Sequence, residues 1–257
     1  MGKWTAFPYA GDYSFDATSV KKHWPRLHAG DLEPLPSDPE LLQAWTHFHN
    51  GEFQKATTLG LSLGPVGLCV ASKATCVYAT YLEKHEIRRL DLYLEVSDQA
   101  TEAAEEDPDN LSARYWRAYA LGRYSQGISV AKALAQGLGT KIKSDLEYVI
   151  RHAPQHADAH VALGSFHAEV IDKVGSLIGA MAYGANKEIG LHLFEQAIKL
   201  HGDSPYGLLE YAHATLMLGG DDMMDAATRL YQQAAKVKPL DAAERLDVEM
   251  ARTQLDD

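Results

Sequence analysis

Four histidines and a glutamate stand close together in this chain: His152, His156, His160, His167 and Glu169. Imidazoles four residues apart on one helix can share a metal ion. Here Pro154 falls between His152 and His156 and breaks the helix that would align them, and no His-Glu-x-x-His run is present. The expectation is packing and surface histidines, with no metal and no cofactor. Cys69 and Cys76 are the two cysteines. They share one face of a predicted helix and lack the Cys-x-x-Cys spacing of a redox or metal pair, so they read as buried thiols in a reducing compartment. The run Gly-Leu-Gly-Thr-Lys at 137–141 hints at a phosphate loop. It lacks the Gly-Lys-Ser/Thr run and the preceding strand that such a loop requires. No Gly-x-Ser-x-Gly elbow and no catalytic Cys–His signature occurs, so the chain is read as a non-enzyme.

The segment RYWRAYALGRYSQG sets Arg114, Arg117 and Arg123 among Tyr115, Trp116, Tyr119 and Tyr124. On a helix Tyr115 and Tyr119 share a face that Arg123 continues. Arginine and tyrosine together hold an anionic or peptide ligand by charge-assisted hydrogen bonds and stacking. The same residues also serve plain helix packing, with Arg123 paired internally to Glu169 or Asp172. Both readings stay open. The candidate binding residues are Tyr115, Tyr119, Arg123, Glu169, Asp172 and Tyr183.

The elements that must position these residues are helices. AAEEDPDN (103–110), VIRHAPQH (149–156), AIKLHGDS (197–204) and AAKVKPLD (234–241) each close an amphipathic helix at Pro108, Pro154, Gly202 or Pro239 and lead into another. Recurrence of one stop phrase signals an internal repeat of helical hairpins. Residues 1–38 read as an irregular arm whose aromatics, Trp4, Phe7, Tyr9, Tyr13, Phe15 and Trp24, pack it on the body. From Pro39 the pattern predicts a helical hairpin over 39–64 that turns at Asn50-Gly51, then helices near 66–82, 86–106, 111–125, 141–153, 157–171, 187–200, 204–218 and 224–237. A charged helix at 241–254 caps the array. No alternating strand pattern appears. The expected fold is all-α: a right-handed superhelical solenoid of antiparallel helix pairs over 39–257.

HADAHVALGSFH carries Ala159, Ala162, Leu163 and Gly164, LFEQAIKL carries Phe194 and Ala197, and AATRLYQQAAKVKP carries Ala227, Tyr231, Ala234 and Pro239. In these small and aromatic positions the chain resembles the tetratricopeptide repeat (TPR), in which small residues let helices approach and an aromatic fills the gap beside them. On that register Ala162, Ala197 and Ala234 are expected at close helix contacts. The resemblance spans roughly 39–240 and implies a binding role without naming a ligand. The plain unit is ~34 residues, whereas two units here carry Gly-rich apolar insertions, 127–139 and 174–185. With them the chain is similar to proteins related to the T-component of TRAP transporters. That similarity implies a carrier of small apolar or acidic molecules, with the inserts walling a pocket. A weaker similarity is to regulators of microtubule dynamics.

A net charge of -11 from 35 acidic and 24 basic residues argues against nucleic acid and anionic lipid as partners. No apolar run reaches the ~18 residues of a membrane span, and the N-terminus shows no signal-peptide core, so a cytoplasmic location is expected. The leading expectation is a scaffold that offers a concave groove to a peptide or protein partner. The inserts are expected to be covered, either as walls of an apolar pocket or as a self-association surface, because exposed apolar segments invite aggregation.

Overall fold

The computed structural model describes residues 2–256; Met1 of the expected arm and Asp257 of the expected repeat region lie outside the described residues. Every regular element among the described residues is helical. The chain forms two compact units. One holds the residues up to His28 with Glu33–Ile128 and Asp241–Ala243; the other holds Ala29–Leu32, Ser129–Leu240 and the residues from Glu244 on.

The first unit contains α1 (Ala17–Leu27), α2 (Pro39–His49), α3 (Phe53–Ser62), α4 (Leu68–Tyr81), α5 (Glu86–Glu106) and α6 (Leu111–Gln126). From α2 on, each packs on the next in chain order. The arm is not irregular throughout, as the sequence suggested, because α1 lies inside it. Its start is a capping box: Asp16 Oδ1 accepts from the Ser19 amide at 2.7 Å, and the Asp16 amide donates to Ser19 Oγ at 2.8 Å. Pro34 and Pro36 lie beyond it, and Pro39 is the first residue of α2. The rest of the arm is fastened by aromatic contacts. Trp4 stacks on Tyr78 at 4.0 Å, and Phe7 meets Phe53 edge-on at 6.1 Å. Gln54 holds the same stretch, accepting from the Trp4 amide at 3.2 Å and donating to the Gly2 carbonyl at 2.9 Å. The α2–α3 hairpin turns at Gly51, whose φ of 78° suits glycine.

The second unit contains α7 (Val130–Ala135), α8 (Leu138–His152), α9 (Ala157–Tyr183), α10 (Lys187–Leu200), α11 (Pro205–Gly219), α12 (Met224–Lys236) and most of α13 (Ala242–Asp256). α9 packs on α10 and α11, and α11 on α12. α9 and α10 approach closely at Gly164, where a Cβ would stand 2.7 Å from the Phe194 ring. Phe194 fills that gap, fully buried, and stacks flat on Tyr211 at 4.9 Å. Burying such a side chain contributes roughly 1.5–3 kcal/mol, and the stack adds ~1 kcal/mol. Tyr231 repeats the arrangement one hairpin on, among Leu208, Ala212, Ala227 and Ala234. Ala197 and Ala234 are buried as expected. Ala162 is half-buried, and Gly164 is the residue that meets Phe194.

The inserts depart further from expectation. α7, in the first, has no buried residue. The second continues α9 beyond a break at Gly175, where φ is 79° and ψ 158°. In the helical stretch after that break one residue alone is buried. Gly179 is buried, with room for no more than a snug Cβ against Val170 and Ala185. That choice of face leaves Leu177, Ile178 and Met181 outside, 75%, 58% and 81% exposed. These three side chains therefore do not line a closed apolar pocket.

Candidate interaction surface

α6 carries the arginine–tyrosine cluster. Asn110 starts it, its Oδ1 accepting from the Ala113 amide at 2.9 Å. Ala113, Ala118 and Ala120 are buried, and with the aromatics they seat the helix on more than one side. Near its end the helix closes on α5, where a Cβ at Gly127 would stand 2.6 Å from Leu90. Tyr115 is buried and packs edge-on against Trp116 at 5.0 Å. The indole of Trp116 donates to Cys69 Sγ at 3.3 Å. Tyr119 is half-buried, 5.4 Å from Trp116 and 6.1 Å from Tyr115. Arg123 is half-buried too: its Nε donates to Tyr119 Oη at 3.3 Å, and its guanidinium carbon lies 5.2 Å from the Tyr119 ring centre. The cluster thus divides. Tyr115 is core, while Tyr119 and Arg123 form a stacked cationic pair at the edge of solvent.

Arg123 also carries its charge toward the interior. Burial pushes the Cys76 thiol far up, and the guanidinium opposes this only in part. Burial likewise raises Tyr93, against the same cation and a 2.9 Å hydrogen bond between its hydroxyl and Thr80 Oγ1. A protonated buried thiol is no nucleophile, so Cys76 behaves as core.

The second unit holds the other three candidates. Glu169 is half-buried and Asp172 exposed, both on α9 before the break at Gly175. Tyr183 ends α9, and its ring lies against Gly139 in α8, where a Cβ would stand 2.4 Å from the ring. The two inserts meet at this contact.

The histidines also divide. His152 is exposed and stacks on Tyr148 at 4.0 Å, whereas His156, His160 and His167 are buried. His156 caps α9, Nδ1 accepting from the Ala159 amide at 3.1 Å. His167 Nδ1 accepts from the Asn186 amide at 3.1 Å, which fixes the chain where the second insert returns into α10. Burial, helped by the positive charge of Lys143, pushes the His167 pKa down to about 4. The sequence reading missed this role and the pairing of fully buried His49 with Asp241 at 2.7 Å. Its available signal was only apolar spacing around each histidine. Among the described residues no group of three or more His, Cys, Asp or Glu is placed to hold a metal ion, and no helix is long and apolar enough to cross a membrane.

No protein-family model matches this chain, and no curated protein matches it. Among solved structures it is similar to a thermophilic TPR protein of Thermus thermophilus, at 19% identity and a TM-score of 0.57, over 83% of this chain and 97% of that one. The fold is thus an all-α, TPR-like helical repeat. No comparison supports the similarity to TRAP-transporter T-components or to microtubule regulators.

Proposed function

We propose that this chain is a non-catalytic binding scaffold that offers a concave groove to a peptide or protein partner. Tyr119 and Arg123 are its principal contacts, on the first unit; Glu169, Asp172 and Tyr183 are candidate contacts of the second unit taken by itself. The observation that carries the reading is the Arg123–Tyr119 pair, half-buried on a helix of a TPR-like repeat. A planar cation already stacked on its tyrosine is pre-organised to meet a carboxylate or a peptide carbonyl. Tyr115 supports that pair from behind as a core residue. The TPR-like fold suits an interaction protein and supports no particular partner.

Photo-crosslinking tests the proposal. A benzophenone side chain at position 119 is compared with one at exposed position Glu105 on α5. A discrete partner captured from 119 and not from 105, and reduced about tenfold by Arg123→Ala in a chain that melts like wild type, supports the reading. The same capture profile from both positions, insensitive to Arg123→Ala, overturns it.

A further inference from the structure

The second insert ends in a helical stretch whose large apolar side chains point away from its own unit. The stretch starts after Gly175, whose φ of 79° and ψ of 158° suit glycine alone, and runs to Tyr183. Successive helical residues turn by about 100°, which sets Leu177, Ile178 and Met181 on one side and Gly179 and Tyr183 on the other. Gly179 is buried and the Tyr183 ring lies against Gly139, so the three large apolar residues are the outward ones. The far end is closed by a paired cap. At Gly184, with φ of 63°, the amide donates to the Ala180 carbonyl at 3.0 Å, and the Ala185 amide donates to the Gly179 carbonyl at 3.0 Å. A contiguous apolar face held open in this way marks a contact surface.

The charge beside this face decides what it meets. Residues 129–144 hold Lys132, Lys141 and Lys143 and no acid, and residues 173–187 hold Lys173 and Lys187 and no acid. Lys143 reaches the end of the apolar stretch, where a Cβ at Gly184 would stand 2.8 Å from its Nζ. It also faces Glu147 at 3.6 Å, and Lys187 donates to the Leu218 carbonyl at 2.9 Å. Asp172 and Glu188 border the second run, and buried Asp145 and exposed Glu147 follow the first. In each case the lysine stands nearer the apolar stretch along the chain than the acid does. The net charge of -11 disfavours anionic lipid for the chain as a whole, but at physiological salt the field of remote acids fades over about 8 Å. A second copy of the chain is a poor occupant, because a symmetric pairing sets lysines against lysines.

We infer that Leu177, Ile178 and Met181 seat this insert in the surface of an anionic lipid bilayer. Their side chains enter the boundary between headgroups and acyl chains, and the neighbouring lysines lay their stems along the face and carry their ammonium groups to the headgroups. Residues 176–183 make about 12 Å of helix, far short of the ~20 residues that span a bilayer, so the contact lies in the interface. The site is separate from the α6 cluster and does not depend on it.

Vesicle flotation of the full chain tests the inference, with vesicles of phosphatidylcholine alone and of phosphatidylcholine with about one-third phosphatidylserine. The chain should bind the anionic vesicles at least tenfold more tightly, and raised salt should weaken that binding. Leu177→Ser with Met181→Ser should weaken it about tenfold, and Lys141→Gln with Lys173→Gln about threefold, all four being exposed positions whose change leaves melting unaltered. Arg123→Ala should leave lipid binding unchanged, which separates it from the proposed partner surface. Equal binding to both vesicles, no binding to either, or wild-type affinity in the Leu177/Met181 double variant overturns the inference. Self-association that the same double variant abolishes, without vesicle binding, gives the face to a second copy and overturns it as well.

Discussion

His167 offers a quantitative check on how α9 and α10 are joined. The ring is buried, and its Nδ1 must keep a lone pair to accept from the Asn186 amide, so the folded chain holds it neutral. Burial and the Lys143 charge lower its pKa from 6.5 to about 4. The unfolded chain takes up this proton as pH falls through 6.5, whereas the folded chain resists until about 4. Between those values the unfolded state holds more protons, so the group costs nothing above the window and destabilises the fold progressively within it. The full gap is worth roughly 3 kcal/mol, and ~2.5 kcal/mol of it is reached by pH 4.5. His167→Gln keeps an acceptor for the Asn186 amide but cannot titrate. Urea melts followed by circular dichroism from pH 7.5 to 4.5 should show wild type losing about 2.5 kcal/mol more than the variant, because the other histidines titrate in both. Parallel stability curves, at any fixed offset, would refute the placement of a neutral His167 at this joint.

Gly164→Ala should cost ~1–3 kcal/mol by forcing a Cβ into the Phe194 ring, and Ala197→Phe a similar amount, while Ala162→Ser stays within ~0.5 kcal/mol; urea midpoints decide. Asn186→Ala removes the side-chain acceptor for the Ile189 amide at 2.8 Å and should cost ~1 kcal/mol, read by the same melts. Leu177→Asp with Met181→Lys should leave the thermal midpoint nearly unchanged, since both side chains face solvent, and should abolish any self-association seen by sedimentation at high concentration. A large loss of stability in that pair would mean the insert is covered.

Helix punctuation was legible from residues alone. Pro39 and Gly51 set the first hairpin, and the stops at Pro108, Pro154, Gly202 and Pro239 separate helices much as the structure does, because proline and glycine act on their own backbone whatever surrounds them. The resemblance to the TPR likewise marked Phe194, Ala197, Tyr231 and Ala234 as packing positions, and all four are buried. The sequence missed α1 because prolines downstream of it masked a local capping box. What it could not hold was the choice of neighbour. Whether Ala162 or Gly164 meets Phe194 depends on where two helices cross. Whether Leu177, Ile178 and Met181 are covered depends on Gly179 and Ala185 having claimed the inner face. The neutral state of His167 arises from residues far apart in the chain, and its burial exists only once those segments have packed.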